Sequence, residues 1–283
     1  MTFMYPLIYK GEHLQETFTY LTKALEVLFV LEGTKPIARI SLHQNELQKV
    51  LAFCERRQLR CAVSDFKIIH VQTEDKGVAN KGVKVALASK IKGDLFLYLG
   101  KDQKLVEQAK QSEAENDHEA LGRLLGYPSC CINFFKSEYE QEVVKENDYI
   151  APALRNTRQE TDRMGSAVSF YNNVILRYFD IGVLSHYPCS FTCSASVQLA
   201  KKNLELVARY SPQLVEMMVA MLKCPVVFTE YDGAHILQGW RENKITGKIE
   251  FDNVLSTVQN NISFLLSEMR SIDKQNPYVI CFH

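Results

Sequence analysis

The chain has no net charge: 33 lysines and arginines balance 33 aspartates and glutamates. That argues against a protein that holds nucleic acid by bulk charge, though a local basic patch stays open. Nor does it have an apolar run near the ~18 residues a spanning helix needs. The longest such segment, ALEVLFVL, is short and contains a glutamate. The opening residues MTFMYPLIYKGEH lack the basic region, apolar core and small-residue cleavage site of a signal peptide. A cytoplasmic protein with no membrane partner is expected, with its thiols kept reduced. There is no dinucleotide-type glycine fingerprint, and GKDQKL has neither the glycines nor the Lys-Ser/Thr pair of a phosphate loop. Repeats of solenoid length and low-complexity segments are absent as well.

What is present is ample apolar content, 46% of 283 residues, enough for one large domain or two modest ones without disulfides. Eight cysteines stand out against that background. In a reducing compartment, clustered cysteines point to metal binding or reactivity rather than to stapling. Four of the eight fall in two stretches of similar grammar, an aromatic, a proline and then two close cysteines. The first is GYPSCCINFF, with Cys130 and Cys131; the second is HYPCSFTCSAS, with His186, Cys189 and Cys193.

Both stretches sit where a loop feeds a helix. Asp117 can cap HEALGRLL, Gly126 stands in the usual C-terminal glycine position, and Pro128 stops continuation. Ser129 is then a candidate cap, with Cys130 and Cys131 in the first turn of the next helix. Ser194 or Ser196 is the candidate cap for VQLAKKNLELVARY, with Cys193 just ahead of it. Unpaired N–H groups and the positive helix end favour thiolate, the form that binds metal or attacks.

Four cysteines from two pairs would satisfy tetrahedral zinc or hold an iron–sulfur cluster. The spacing is not that of a zinc ribbon. Adjacent cysteines are awkward for a single zinc because successive side chains diverge, so the expected cofactor is an iron–sulfur cluster, with zinc the alternative. His186 is the candidate catalytic group, as a proton carrier or a residue that only packs, in preference to a ligand. Cys54, Cys224 and Cys281 read as core, and His283, at the end, as disordered.

The rest reads as scaffold. A helix is expected over 11–31, with Leu14, Phe18, Leu21, Ala24 and Leu25 on one face. A strand over 35–42 follows, then a helix capped by Ser41 with Leu47, Val50, Leu51 and Cys54 inward. Residues 60–72 read as a strand or a broken pair, 73–85 as a loop, and 83–89 with 93–100 as a strand pair. A charged helix follows from Lys101. A helix is expected over 161–180. Further on come a Met-rich helix over 211–224 and a hairpin turning at Asp232-Gly233. A third strand over 246–254, a helix over 254–270 and the tail PYVICFH close the chain. The fold class is α+β: a small N-terminal α/β layer over 1–115, then 116–283 as a helical cysteine-bearing region with a C-terminal hairpin or small antiparallel sheet and a final helix.

LGYPSCCINFF followed by HYPCSFTCSAS resembles an uncharacterised prokaryotic family catalogued as domain of unknown function 483. The matching positions are Gly126, Tyr127, Pro128, Cys130 and Cys131, then His186, Pro188, Cys189, Ser190 and Cys193. The resemblance spans 117–200, implies that the two motifs form one unit, and carries no activity. The expected function is therefore a cytoplasmic metalloprotein with Cys130, Cys131, Cys189 and Cys193 converging, acting on a small molecule. An accessory or interaction protein with structural cysteines, or a dithiol redox protein, is the alternative.

Overall fold

Alternation along DLFLYLG decides the first layer. In a strand successive side chains face opposite sides, and both sides here are covered. Leu97 and Leu99 join the main core, while Tyr98 packs with Val106, Ala109, Leu121 and Leu125 on the other face. The structure, a computed structural model, describes residues 5–70, 82–145, 149–164 and 168–283.

The chain opens with a short hairpin, β1 (Ile8–Tyr9) and β2 (Glu12–His13), then α1 (Leu14–Phe18) and α2 (Leu21–Leu31). The single helix expected over 11–31 is thus broken. Thr19 lies at φ 63° and its hydroxyl donates to Glu46. Leu14, Phe18, Leu21, Ala24 and Leu25 are still all buried. Next come β3 (Ile37–Leu42), α3 (Leu47–Arg56), β4 (Arg60–His70), β5 (Gly82–Ala86) and β6 (Asp94–Gly100). These four strands pair antiparallel in the order β3-β6-β4-β5. The strands expected over 83–89 and 93–100 therefore flank β4 instead of pairing with each other. Of the loop expected over 73–85, residues 73–81 lie outside the described residues, as do the last two of the strand expected over 60–72, and the end of the loop is strand. Ser41 lies inside β3 and donates to Asp94, so it caps nothing.

The sheet is sandwiched. α2 and α3 cover one face, and α4 (Gln103–Ala114) and α5 (His118–Leu124) cover the other. Asp102 caps α4 and Asp117 caps α5 through side-chain acceptors. α6 (Ser129–Lys145) and α7 (Ile150–Met164) follow. The helix expected over 161–180 does not form as one element. Residues 161–164 belong to α7, 165–167 lie outside the described residues, and residues 170–179 make two 3-10 turns. Asn172 and Asn173 are the physical reason. Their side-chain amides donate to the carbonyls of Phe191, Cys193 and Leu222, tying this stretch to its neighbours instead of to its own helix ladder.

α8 (Ser194–Ala208) and α9 (Pro212–Leu222) pack on that stretch. Met218 of α9 is fully buried, and Met217 and Met221 lean on the same core. The expected hairpin forms as β7 (Val226–Thr229) and β8 (Gly233–Gln238), and Gly233 takes φ 87° at its turn. Then come β9 (Arg241–Asn243), β10 (Lys248–Glu250), β11 (Asn253–Ser256), α10 (Asn261–Glu268), β12 (Ser271–Asp273) and β13 (Val279–Ile280). They make two antiparallel sheets, β11-β8-β7-β13 and β12-β10-β9. One three-stranded sheet was expected, and the segment 246–254 is split between both. The final helix is shorter than 254–270, because 253–256 pair with β8 as strand.

All described pairings are antiparallel, which makes the fold α+β. The main core draws side chains from Leu7 to Phe282. His283 is not disordered. Its N–H donates to Val168 and its carbonyl accepts from Phe170, while Phe282 packs edge-on against Phe191 at 5.5 Å. No helix among the described residues is long and apolar enough to cross a membrane.

Candidate metal centre

The first cysteine pair is placed by a tight helix–helix turn. At the end of α5, Tyr127 N–H donates to Gly122 and Gly126 N–H to Arg123, each at 3.0 Å, the two bonds of a Schellman motif. Gly126 takes φ 73°, which that motif demands and a side chain would strain. Pro128 then offers its carbonyl to Cys131 and Ile132 at 3.0 Å, opening α6 with Ser129 as its first residue rather than its cap. Cys130 and Cys131 fall in that first turn.

The second pair lies in the loop ahead of α8. Cys193 occupies the N-cap position, and neither Ser194 nor Ser196 caps. Ser194 is already helical, and Ser196 is turned toward the thiols. The loop is held from outside. Asn156 of α7 donates to the Cys189 carbonyl at 3.0 Å, and the Thr157 hydroxyl accepts from Phe191 N–H at 2.8 Å. Glu160 accepts from Ser190 and Thr192. Asn172 donates to the Cys193 carbonyl at 3.1 Å. The sequence offered one faint sign of these supports: Asn156, Thr157 and Glu160 share a helix face by spacing, although all three are polar enough to look solvated.

These elements bring Cys130, Cys131, Cys189 and Cys193 together, all four sulfurs within 4.8 Å of one another. Cys130 and Cys193 stand 3.7 Å apart, Cys131 and Cys193 3.8 Å, and Cys130 and Cys131 3.9 Å. The objection to adjacent cysteines fails here. Side chains on a helix lean toward its N-terminus, so two thiols in the first turn both reach the space in front of it. Cys131 and Cys193 are buried, Cys189 is half-buried and Cys130 is exposed. The set could hold a metal ion. Cys54, Cys61, Cys224 and Cys281 lie outside it; Cys54 and Cys224 are core, as expected.

Donors converge on the sulfurs. Cys189 N–H points at Cys131 Sγ over 3.4 Å, and the Ser196 hydroxyl lies 3.2 Å from the same atom. Cys193 is held low because it accepts hydrogen bonds from Cys131 and Cys189 at a helix N-terminus. Cys131 gains from its bond with Cys189, but the bond shared with Cys193 and burial outweigh that and push it up to about 12. The hydrogen bonds that Cys189 makes to Cys131 and Cys193 raise it too.

His186 is buried outside the sulfur set. Its Nε2 lies 2.8 Å from Ser196 Oγ, its Nδ1 has no hydrogen-bond partner among the described residues, and its ring centre is 5.1 Å from that of Tyr127. Burial, with the Lys35 and Arg177 cations behind it, pulls it down to about 3. Lys35 reaches this region from the sheet side, bonded to Glu26 and Ser185.

Residues 102–222 match the profile of a family described as protein of unknown function (DUF483). The match agrees with the resemblance carried by the two cysteine motifs, encloses both of them, and extends over α4 and α9. No curated protein and no solved structure matches the chain.

Proposed function

We propose that the protein is a zinc–thiolate protein in which Cys130, Cys131, Cys189 and Cys193 hold one ion that pins α6, α8 and the intervening loop together. One observation carries the reading: the sulfurs of Cys130, Cys131 and Cys193 stand 3.7, 3.8 and 3.9 Å apart, and Cys189 completes a set of four within 4.8 Å. Zinc–sulfur bonds of about 2.3 Å at tetrahedral angles set sulfurs about 3.8 Å apart. In an iron–sulfur cluster, thiolates on different irons are separated by both irons and their bridging sulfides. That arrangement calls for wider spacing than these four sulfurs have.

Four thiolates around one zinc carry excess negative charge. Two helix N-termini, the Cys189 N–H and the Ser196 O–H are aimed at it. With four protein ligands no position is open for a substrate, so the ion's role in this reading is structural. His186, the candidate proton carrier, becomes the anchor of Ser196: Nε2–H donates to the hydroxyl, whose own proton points at Cys131. That tautomer leaves Nδ1 as a bare acceptor rather than an orphaned donor.

The test is zinc, iron and acid-labile sulfide on protein purified without oxygen, with its visible spectrum. About one zinc per chain and no colour is expected. A brown protein with near-equal iron and sulfide overturns zinc in favour of a cluster, and a metal-free protein with intact fold overturns both.

A further inference from the structure

A cleft of about 280 Å³ opens where α2 and β3 face the turn ahead of α6 and the stretch 174–187. This is a junction of layers, where ligand sites tend to form. Three cations line it, Lys23, Arg39 and Arg177, against one carboxylate, Glu26. Glu26 is taken by Lys35, Arg39 is bonded to Glu113 at 2.5 Å, and Lys23 faces Glu46 at 3.8 Å. Arg177 alone among the lining cations has no counter-ion or hydrogen-bond acceptor among the described residues, and its Nη1 is buried without a partner.

Arg177 is not free to swing away. Its guanidinium carbon lies 5.2 Å from the centre of the Tyr187 ring, and its stem is clamped over Gly182, where a Cβ would come within 2.8 Å of Cγ. A buried guanidinium N–H with no acceptor is rare in a folded protein and asks for one. The fork of an arginine matches carboxylate and phosphate oxygens two at a time. Burial also holds the Lys23 ammonium below its usual range, so an arriving anion would meet partly desolvated cations. Tyr127 and Tyr187 supply a flat apolar wall. The same tyrosines border the cysteine centre: Tyr127 lies against His186, and Tyr187 packs in the aromatic cluster that includes Cys189.

We infer that this cleft binds a small anionic molecule through a carboxylate or phosphate group held by Arg177, with its body against the two tyrosines. The inference rests on the lining of the cleft and not on the identity of any metal. The test is thermal unfolding and calorimetric titration of the protein as purified. Inorganic phosphate, pyrophosphate and succinate are the probes, with sodium chloride at matched ionic strength as control. At millimolar probe, a rise in Tm of about 3 °C over chloride is expected. The phosphate or succinate arm that gives it identifies the chemistry. Arg177→Gln should weaken that binding about tenfold or more, the size expected for one charge-assisted pair. Arg209→Gln, an exposed partner of Glu32, should leave it unchanged. If Arg177→Gln does not fold, Lys23→Gln carries the test, with at least a threefold loss expected. No shift beyond chloride with any probe overturns the proposal. So does a shift that survives in the folded lining variant.

Discussion

Ser196 and Cys131 meet 65 positions apart in the chain, hydroxyl oxygen to sulfur at 3.2 Å. The same oxygen is 2.8 Å from His186 Nε2. A serine one turn into a helix thereby connects a buried imidazole to a thiol at the start of another helix.

Ser196→Ala removes this donor while leaving four sulfurs in place. Outer-shell partners of this kind are worth about 10–100-fold in metal affinity. Retained zinc with about tenfold weaker holding is expected, read by competition with a chelating dye. Affinity equal to that of the wild type would show that the hydroxyl does not act on the metal.

Serine in place of any one of Cys130, Cys131, Cys189 or Cys193 should reduce bound zinc to below about a tenth of the wild-type content. Cys131 and Cys193 are buried and Cys130 is exposed, so Cys130→Ser should be the best folded of the four. Chelation of the wild type should lower Tm by about 10 °C or more, because structural zinc binding is folding free energy. A variant at any of the four with full zinc content counts against its ligand role.

Asp180 reaches α2 from the far side of the chain. Its carboxylate accepts from the N–H groups of Leu21 at 2.6 Å and Thr22 at 2.9 Å, and from the Thr22 hydroxyl at 2.7 Å. This is an N-cap supplied by tertiary structure, since Tyr20 in the cap position has none to offer. Asp180→Ala should cost about 2 kcal/mol. Asp180→Asn should cost less, since asparagine tolerates the left-handed φ of 59°. Urea midpoints measure both. An alanine variant as stable as the wild type means that α2 needs no such cap.

His235 is fully buried, with Nδ1 2.9 Å from Ser256 Oγ, and burial lowers its pKa. In the unfolded chain it protonates near 6.5. Below that pH and down to its depressed folded value, the unfolded state binds more protons, so stability falls as pH falls. Acid also strips metal from thiolates, so the readout is the difference between wild type and His235→Gln from pH 7.5 to 5. The wild type should lose stability more steeply. Parallel slopes would mean that His235 is not titrating between the two states.

Local patterns in the chain were enough for several elements. The apolar, aromatic run GDLFLYLG bounded by glycines, the Asp117 cap, the Gly126 stop and the Asp232-Gly233 turn each act within a few residues, and each formed where the residues required. Helix continuity was not legible in the same way. Leu14 to Leu25 kept their buried face across a break at Thr19, because burial follows spacing while the break depends on Glu46 and Asp180 from elsewhere. The stretch 170–179 had the apolar content of a helix, but the Asn172 and Asn173 amides took partners on other segments.

The sequence by itself determined that each thiol pair stands where a loop feeds a helix, since the Gly126–Pro128 turn and the apolar spacing of residues 197–210 are local signals. Only the tertiary structure decided that their four sulfurs share one site, that adjacent Cys130 and Cys131 both face it, and that Ser196 serves a sulfur rather than a helix end. Only the tertiary structure left Arg177 beside a cleft with no counter-ion among the described residues. Those outcomes depend on distances between segments far apart in the chain, set by packing in a core that runs from Leu7 to Phe282, and no local pattern encodes them.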